Sequence, residues 1–341
     1  MQTLNTLILR DDVDGDVAVA AKIIADGGLV AFPTETVYGL GADARNAVAT
    51  KRIFEAKGRP QDNPLIVHLA SPEDAEKYVY TCPLYYKLAA KFMPGPLTVI
   101  LPKKQQIIPD AVSAGLDSLA IRIPMHESAR KLISLSGCPI AAPSANLSGK
   151  PSPTLAAHVI ADMTGRVDAI LCGDASAIGV ESTVVKLTGE DSLVICRPGG
   201  ITPEMLGQVC SKVEIDPAVL EKFDGKPISP GMKYRHYAPV APVTVLVGSE
   251  EEIVDFLTNK KDFGILCYDG DQLLMAFENA VSFGAESDLM AQAHGLFDCL
   301  RSFDERQNVK HIYARMPSRD GVGLAVYNRL MKAAGFSIIE L

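Results

Sequence analysis

The sequence predicts an α/β protein of two domains. An open, twisted mixed sheet with helices spans residues 1–210. A linker or lid covers 211–241, and a small Rossmann-like α/β domain covers 242–341. Three observations predict this. The chain has 341 residues, and at roughly 150 residues per domain that makes two. Short apolar β-rich runs alternate with helical periodicity along most of its length. Between Ser211 and Pro242 that pattern breaks into a stretch with five prolines, as interdomain linkers do.

Taken in order, VAVAAKIIADGG (17–28) is apolar at helical spacing and stops on two glycines, a C-terminal signal. LVAF follows as a short buried strand. Gly39-Leu40-Gly41-Ala42-Asp43-Ala44 approaches a dinucleotide fingerprint, but it follows a loop instead of a strand. A tight turn feeding the next helix is the better reading. Residues 47–56 read as a helix between an Asn46 cap and a Gly58 stop. LIVHLA (65–70) is a strand, and Ser71-Pro72-Glu73-Asp74 opens a helix with Pro at its first position. LTVILP, LAIRIP, CPIAAPS, AILCGD, TVVKL and LVICRP are further short strands. Some are separated by helices and others only by loops, which favours a mixed sheet. Beyond the linker, VTVLVG, a helix from Glu250, FGILCYD, a long helix from Ser287, VKHIYARM and a helix over 323–334 form a compact βα unit.

Composition narrows the function classes. With 48% hydrophobic and 22% charged residues the chain must build a packed core. A net charge of -8 repels nucleic acid, so any tRNA or double-stranded RNA contact requires a local basic patch. No apolar run nears the roughly 20 residues a bilayer needs. The opening MQTLNTLILRDD lacks a basic n-region, an apolar h-region and a cleavage site. These features predict a cytoplasmic protein without membrane contact. The seven cysteines are scattered and never form CxxC. Buried, reduced thiols and no zinc site are expected.

The chemistry lies in polar segments that adjoin apolar strands, where open α/β folds place ligands. Pro33-Thr34-Glu35-Thr36-Val37-Tyr38 follows LVAF. Lys57-Gly58-Arg59-Pro60 leads through Asp62-Asn63-Pro64 into LIVHL. Ser144-Ala145-Asn146 follows PIAAP, and Arg197-Pro198-Gly199-Gly200 follows LVIC. Across a glycine, Lys57 and Arg59 can converge on one anion, as point charge and fork. They can equally cap the helix C-terminus, and the pair alone does not separate the two readings. Four such loops together favour a polyanion site, a nucleotide phosphate held in the first domain. There is no GxxxxGK[ST]; Ser148-Gly149-Lys150-Pro151-Ser152 matches only its end, and the proline removes a donor. His68, inside a strand, reads as a satisfied core histidine. Arg122, flanked by apolar residues, needs an anion such as a carboxylate ligand. His126, His158, His294 and His311 fall on apparent surfaces and receive no role.

Together these stretches resemble the threonylcarbamoyl-AMP synthase family, the YrdC-type enzymes of tRNA modification. The matching segments are PTETVYGLG (33–41), KGRPQDNPLIVH (57–68), PGPLTVIL (94–101), IRIP (121–124), PSANLSGKPSPT (143–154), ESTVV (181–185) and RPGGIT (197–202). SPGMKYRHYAP (229–239) and the extra domain resemble the longer, two-domain version. The resemblance implies that L-threonine, bicarbonate or CO2 and ATP give threonylcarbamoyl-adenylate and pyrophosphate, by nucleotidyl transfer. A downstream tRNA threonylcarbamoyl-transferase machinery would use the product. It implies Lys57 and Arg59 as catalytic residues. Arg59, Asn63, Ser118, Ser144, Asn146, Ser152, Arg197, Tyr234 and His236 would bind ATP, with Mg2+ on its phosphates. Thr36, His68, Arg122 and Ser182 would bind threonine, Arg122 through its carboxylate. Tyr234, Arg235, His236 and Tyr237 are too polar and aromatic for a spacer and are expected to fold as a lid, against a Pro-rich tether. An RNA-binding module and a related carbamoyl-adenylate enzyme with another acceptor are the competing readings.

Overall fold

The computed structural model describes residues 4–104, 107–221 and 236–341. In the first domain the strands are β1 (Leu7–Arg10), β2 (Val30–Phe32), β3 (Gly39–Asp43), β4 (Ile66–His68), β5 (Leu97–Pro102), β6 (Ser118–Arg122), β7 (Ile140–Ala142), β8 (Ala169–Cys172), β9 (Thr183–Gly189), β10 (Ser192–Arg197) and β11 (Lys212–Ile215). They form one sheet in the order β1-β8-β2-β3-β7-β4-β6-β5-β9-β10-β11. Pairing is mixed: β4 runs parallel to β6 but antiparallel to β7, and β5 runs antiparallel to β6 but parallel to β9. Strand residues alternate between faces. Val30 and Phe32 therefore join a core under α1 (Asp14–Ala25) and α5 (Glu127–Ser136), while Ala31 joins a larger core under α2 (Ala47–Lys57) and α3 (Pro83–Phe92).

The start of α2 is as the sequence predicts. The Asn46 side chain accepts from the amides of Val48 and Ala49 at 3.0 and 3.1 Å. Gly58, at φ +63, ends the helix in the left-handed region that glycine reaches at least cost. Lys57 thus closes the last turn, and Arg59 leaves in a new direction.

Three expectations need correction. Gly39–Asp43 is a strand between β2 and β7, not a turn. Its glycines mark close packing: a Cβ at Gly41 would lie 2.7 Å from Ile140 Cγ2 and 2.8 Å from Phe32 Cε1. Residues 212–215, assigned to the linker, are the edge strand β11, parallel to β10. That strand is largely exposed, so it carries no apolar alternation to reveal it. The segment at 73–77 is a 3-10 turn instead of an α-helix.

The second domain alternates β12 (Val243–Val247), α8 (Glu250–Leu257), β13 (Phe263–Cys267), β14 (Ala280–Ser282), α9 (Leu289–Ser302), β15 (His311–Arg315), α10 (Gly323–Ala333) and β16 (Ile338–Glu340). All its strand pairs are parallel, in the order β14-β13-β15-β12-β16. Helices α9 and α10 face the first domain. Arg301 donates to Asp162 at 2.7 Å and to the Pro151 carbonyl at 2.6 Å. His158 pairs with Asp298 at 3.1 Å, and His294 Nδ1 lies 3.3 Å from the Ala177 carbonyl. Those two histidines, read as surface positions without a role, therefore lie where the domains meet. All seven cysteines are free, four buried and three half-buried. Among the described residues no helix is long and apolar enough to cross a membrane.

Candidate active site

The loops that leave β2 and β7, the connection from α2 to β4, and the ends of β4, β6 and β10 surround a cleft of about 740 Å³, counting the solvent at its mouth. Of the residues singled out from sequence, Lys57, Arg59, His68, Arg122, Ser144, Asn146, Arg197 and His236 all line it. With Lys150, five lysine and arginine side chains thus line one cleft in a chain of net charge -8.

Lys57, at the end of α2, is 3% exposed. Its Nζ donates to the carbonyls of Ser144 and Asn146 at 2.6 and 2.5 Å. Burial, reinforced by the neighbouring Arg59 charge, pushes its pKa well below the ordinary lysine value. The ammonium therefore braces the 144–146 loop, which neither helix capping nor a lone phosphate contact describes. Arg59 is only half-buried, yet its Nε is sealed from solvent without a hydrogen-bond partner among the described residues. Its Nη2 makes long contacts with the carbonyls of Asn63 and Pro64, at 3.4 and 3.3 Å. Burial pushes its pKa down to about 10. Both amide atoms of Asn63 are likewise buried without a partner among the described residues. Such orphaned donors in a cationic cleft suit an anion that supplies acceptors.

Arg122 has its anion inside the protein. Its Nη2 lies 2.7 Å from Glu35 Oε1, with both side chains no more than 5% exposed. The other Glu35 oxygen accepts from the Met125 amide at 3.1 Å. The expectation that a ligand carboxylate satisfies Arg122 is therefore met first by Glu35, which the sequence reading left unassigned. Arg122 Nε still has no partner among the described residues. His68 is buried as expected, but its Nδ1 is also without one. Burial and the adjacent Arg122 charge push its pKa down to about 3, so the imidazole is neutral.

At the end of β10, Arg197 donates from Nε to the Ser182 carbonyl at 3.1 Å and from Nη2 to the Ser182 hydroxyl at 3.0 Å. That hydroxyl lies 2.8 Å from Thr98 Oγ1. Gly199 permits the fit, since a Cβ there would lie 2.5 Å from the Glu181 carbonyl and 2.4 Å from the Thr183 amide. Thr36 is buried one layer behind the cleft, 2.9 Å from Thr34 Oγ1, and Thr34 itself lines it. Ser152 points to Glu181 Oε1 at 2.5 Å. Ser118 opens β6, while Arg122 ends it at the cleft. Four residues separate them, about 13 Å along a strand.

His236 lines the cleft, its pKa pushed down to about 3 by burial and the Arg59 charge. The next ring, Tyr237, lies 5.6 Å from it and 5.2 Å from Phe297 of α9. Tyr234 lies outside the described residues. Among the functional groups sequence reasoning missed, Glu181 and Arg329 stand out: Arg329 Nε donates to Glu181 Oε2 at 2.8 Å, from α10 across the domain boundary. Glu181 opens the quoted ESTVV segment, but nothing local marks its partner 148 residues away.

Residues 22–199 match a family model described as telomere recombination, and residues 201–335 match one described as threonylcarbamoyl-AMP synthase, C-terminal domain. A Bacillus subtilis threonylcarbamoyl-AMP synthase is 47% identical over 332 residues, 96% of this chain and 95% of the relative. The chain belongs to the threonylcarbamoyl-AMP synthase family. A Pyrococcus abyssi threonylcarbamoyl-AMP synthase is also 47% identical, over 95% of this chain and 96% of its own. The crystal structure of P. abyssi Sua5 complexed with L-threonine superposes with a TM-score of 0.89 at 44% identity, covering 98% of this chain and 99% of that one. Both domains of this threonylcarbamoyl-AMP synthase fold are thus present. Escherichia coli YciO, at 20% identity and a TM-score of 0.50, shares the fold over 58% of this chain and 96% of its own.

Proposed function

We propose that this chain condenses L-threonine, bicarbonate or CO2, and ATP into threonylcarbamoyl-AMP and pyrophosphate, as a nucleotidyltransferase whose product feeds tRNA threonylcarbamoyl transfer. The observation that carries the site assignment is the cleft itself, where the buried Nε atoms of Arg59 and Arg122 lack partners among the described residues.

Threonine's amine captures CO2, and a carbamate oxygen attacks the α-phosphorus of ATP as pyrophosphate leaves. Positioning and charge stabilisation do most of the work in such a transfer. Arg59 and Arg197 would bind phosphate oxygens, and Lys57 would hold the Ser144–Asn146 loop against them. Ser144, Asn146 and Asn63 offer hydroxyl and amide groups to the nucleotide. Ser152 acts from behind Glu181, and Ser118 is reached only by the far end of an extended nucleotide. The Arg122 Nε would take the threonine carboxylate, and neutral His68, Ser182 and the Thr34–Thr36 pair would line the side-chain pocket. Hydroxyl partners there disfavour valine, which would leave them unpaired.

Among the described residues no cluster of three or more His, Cys, Asp or Glu could hold a metal ion. Glu181 lines the cleft but is occupied by Arg329 and Ser152. This donor set does not build a resident Mg2+ site, so the ion would enter as part of Mg·ATP, held by the polyphosphate.

His236 and Tyr237 would close the cleft over the labile adenylate and exclude water. His236→Ala should then lower the yield of threonylcarbamoyl-AMP per pyrophosphate released. An unchanged ratio removes the lid role. The reaction is tested by pyrophosphate release with threonine and bicarbonate omitted in turn. Release that needs both, and prefers threonine over serine and valine, is expected. No release from folded protein overturns the reading.

A further inference from the structure

The second domain contributes the largest fully buried side chain, Arg329, at 0% exposure. Two of its guanidinium nitrogens reach Glu181 across the domain boundary, and the third bonds within α10. Nε donates to Glu181 Oε2 at 2.8 Å, Nη2 reaches the Glu181 carbonyl at 3.4 Å, and Nη1 donates to Asn328 Oδ1 at 3.0 Å. Asn328 in turn donates to the Val219 carbonyl at 2.7 Å, and the Tyr237 ring lies 5.6 Å from Arg329 Cζ. Glu181 lines the cleft beside Lys57, Arg59 and Arg197. Its other oxygen takes the Ser152 hydroxyl, and the following residue, Ser182, receives both donors of Arg197.

We propose that Arg329 is a positioning residue for nucleotide binding: from the second domain it neutralises Glu181 and fixes the Glu181–Ser182 segment on which Arg197 rests. The inference rests on the polyphosphate reading of the cleft. A bare carboxylate at Glu181 would oppose the negative charge of ATP in a poorly screened site. It would also be costly to bury, so removing the cation alone is worse than removing both charges. Burial by itself would raise the Glu181 pKa, but the charges of Arg329 and Arg197 outweigh it and hold it below the ordinary carboxylate value. The carboxylate is therefore ionised at neutral pH and needs its partner there. The second domain, on this account, completes the electrostatics of a site whose phosphate-binding residues lie in the first.

Steady-state pyrophosphate release by the full chain, with ATP varied at saturating threonine and bicarbonate, tests this. Arg329→Met should raise the KM for ATP on the order of tenfold, and the KM for threonine by less, through Ser182. Adding Glu181→Gln should bring the ATP KM back to within about threefold of wild type, because coupled charges are non-additive. A general loss of packing would not be reversed by a second substitution. A folded Arg329→Met protein with wild-type ATP KM overturns the inference, as does a double variant no better than the single. If Arg329→Met does not fold, the double variant, which buries neither charge, still decides: an ATP KM raised tenfold in that folded protein overturns neutralisation. Absence of release from wild type counts against the synthase reading instead, so the two failures are distinct.

Discussion

At the scale of single residues, a half-buried guanidinium that spends its donors on carbonyl oxygens at 3.3 and 3.4 Å is under-satisfied, and a phosphate oxygen would improve its bonding. Arg59 is in this position, so Arg59→Ala should lower turnover on the order of 100-fold, as loss of a preorganised transition-state donor does. Near-normal single-turnover synthesis would remove Arg59 from the site. Lys57 differs although it lies two residues away, because its ammonium is already bonded to Ser144 and Asn146. That difference was not legible in Lys-Gly-Arg. The sequence marks two cations near a glycine, but the acceptors of Lys57 lie nearly ninety residues further along. Arg122 shows the same limit. Its need for an anion was readable from its apolar neighbours, yet the anion is Glu35, 87 residues away.

At the scale of elements, local patterns predicted most strands and helices that hold the site, because caps and periodicity act within a few residues. Asn46, Gly58 and the strand end at Arg197 fell where their residue types placed them, whereas β4 ends at His68, inside the strand expected over 65–70. The reading failed where a residue type answers to a distant neighbour. Gly39 and Gly41 suggest a turn, but they let β3 pass beneath Phe32 and Ile140. Gly41→Ala should therefore cost about 1–3 kcal/mol, as overpacking does, and chemical denaturation of the purified variant would measure it. Wild-type stability would mean that Phe32 and Ile140 yield freely. β11 escaped notice for the opposite reason, since an exposed edge strand has no buried face to impose alternation.

At the scale of the whole molecule, burial of charge-changing groups ties the fold to pH. His68 and His236 are held at about 3 in the fold against about 6.5 in an unfolded chain. Below pH 6.5 the unfolded state binds protons that the folded state refuses, so stability falls as pH drops from 6.5 toward 3 and returns as pH rises. Each histidine contributes at most about 1.4 kcal/mol per pH unit in that window. Glu181 and Asp162 add to the trend: burial opposes their ionisation, but Arg329 and Arg301 outweigh it and hold both below their ordinary values. Their contribution is present above the unfolded carboxylate range and is lost as pH falls through the folded value. His68→Gln should flatten the slope of stability against pH between 4 and 6 by nearly one proton in urea titrations. An unchanged slope would show that His68 takes up its proton in the folded state.

By itself the sequence determined the two-domain α/β class, the proline-rich join and the polar loops that converge on the cleft. Each of these is written within a window of some ten residues, through periodicity, caps and turn chemistry. Tertiary structure decided which charges meet. Whether a buried arginine serves a ligand or a glutamate depends on what lies within about 4 Å of it, and that is set by chain crossings of 87 residues for Arg122 and 148 for Arg329, far beyond the reach of any local pattern.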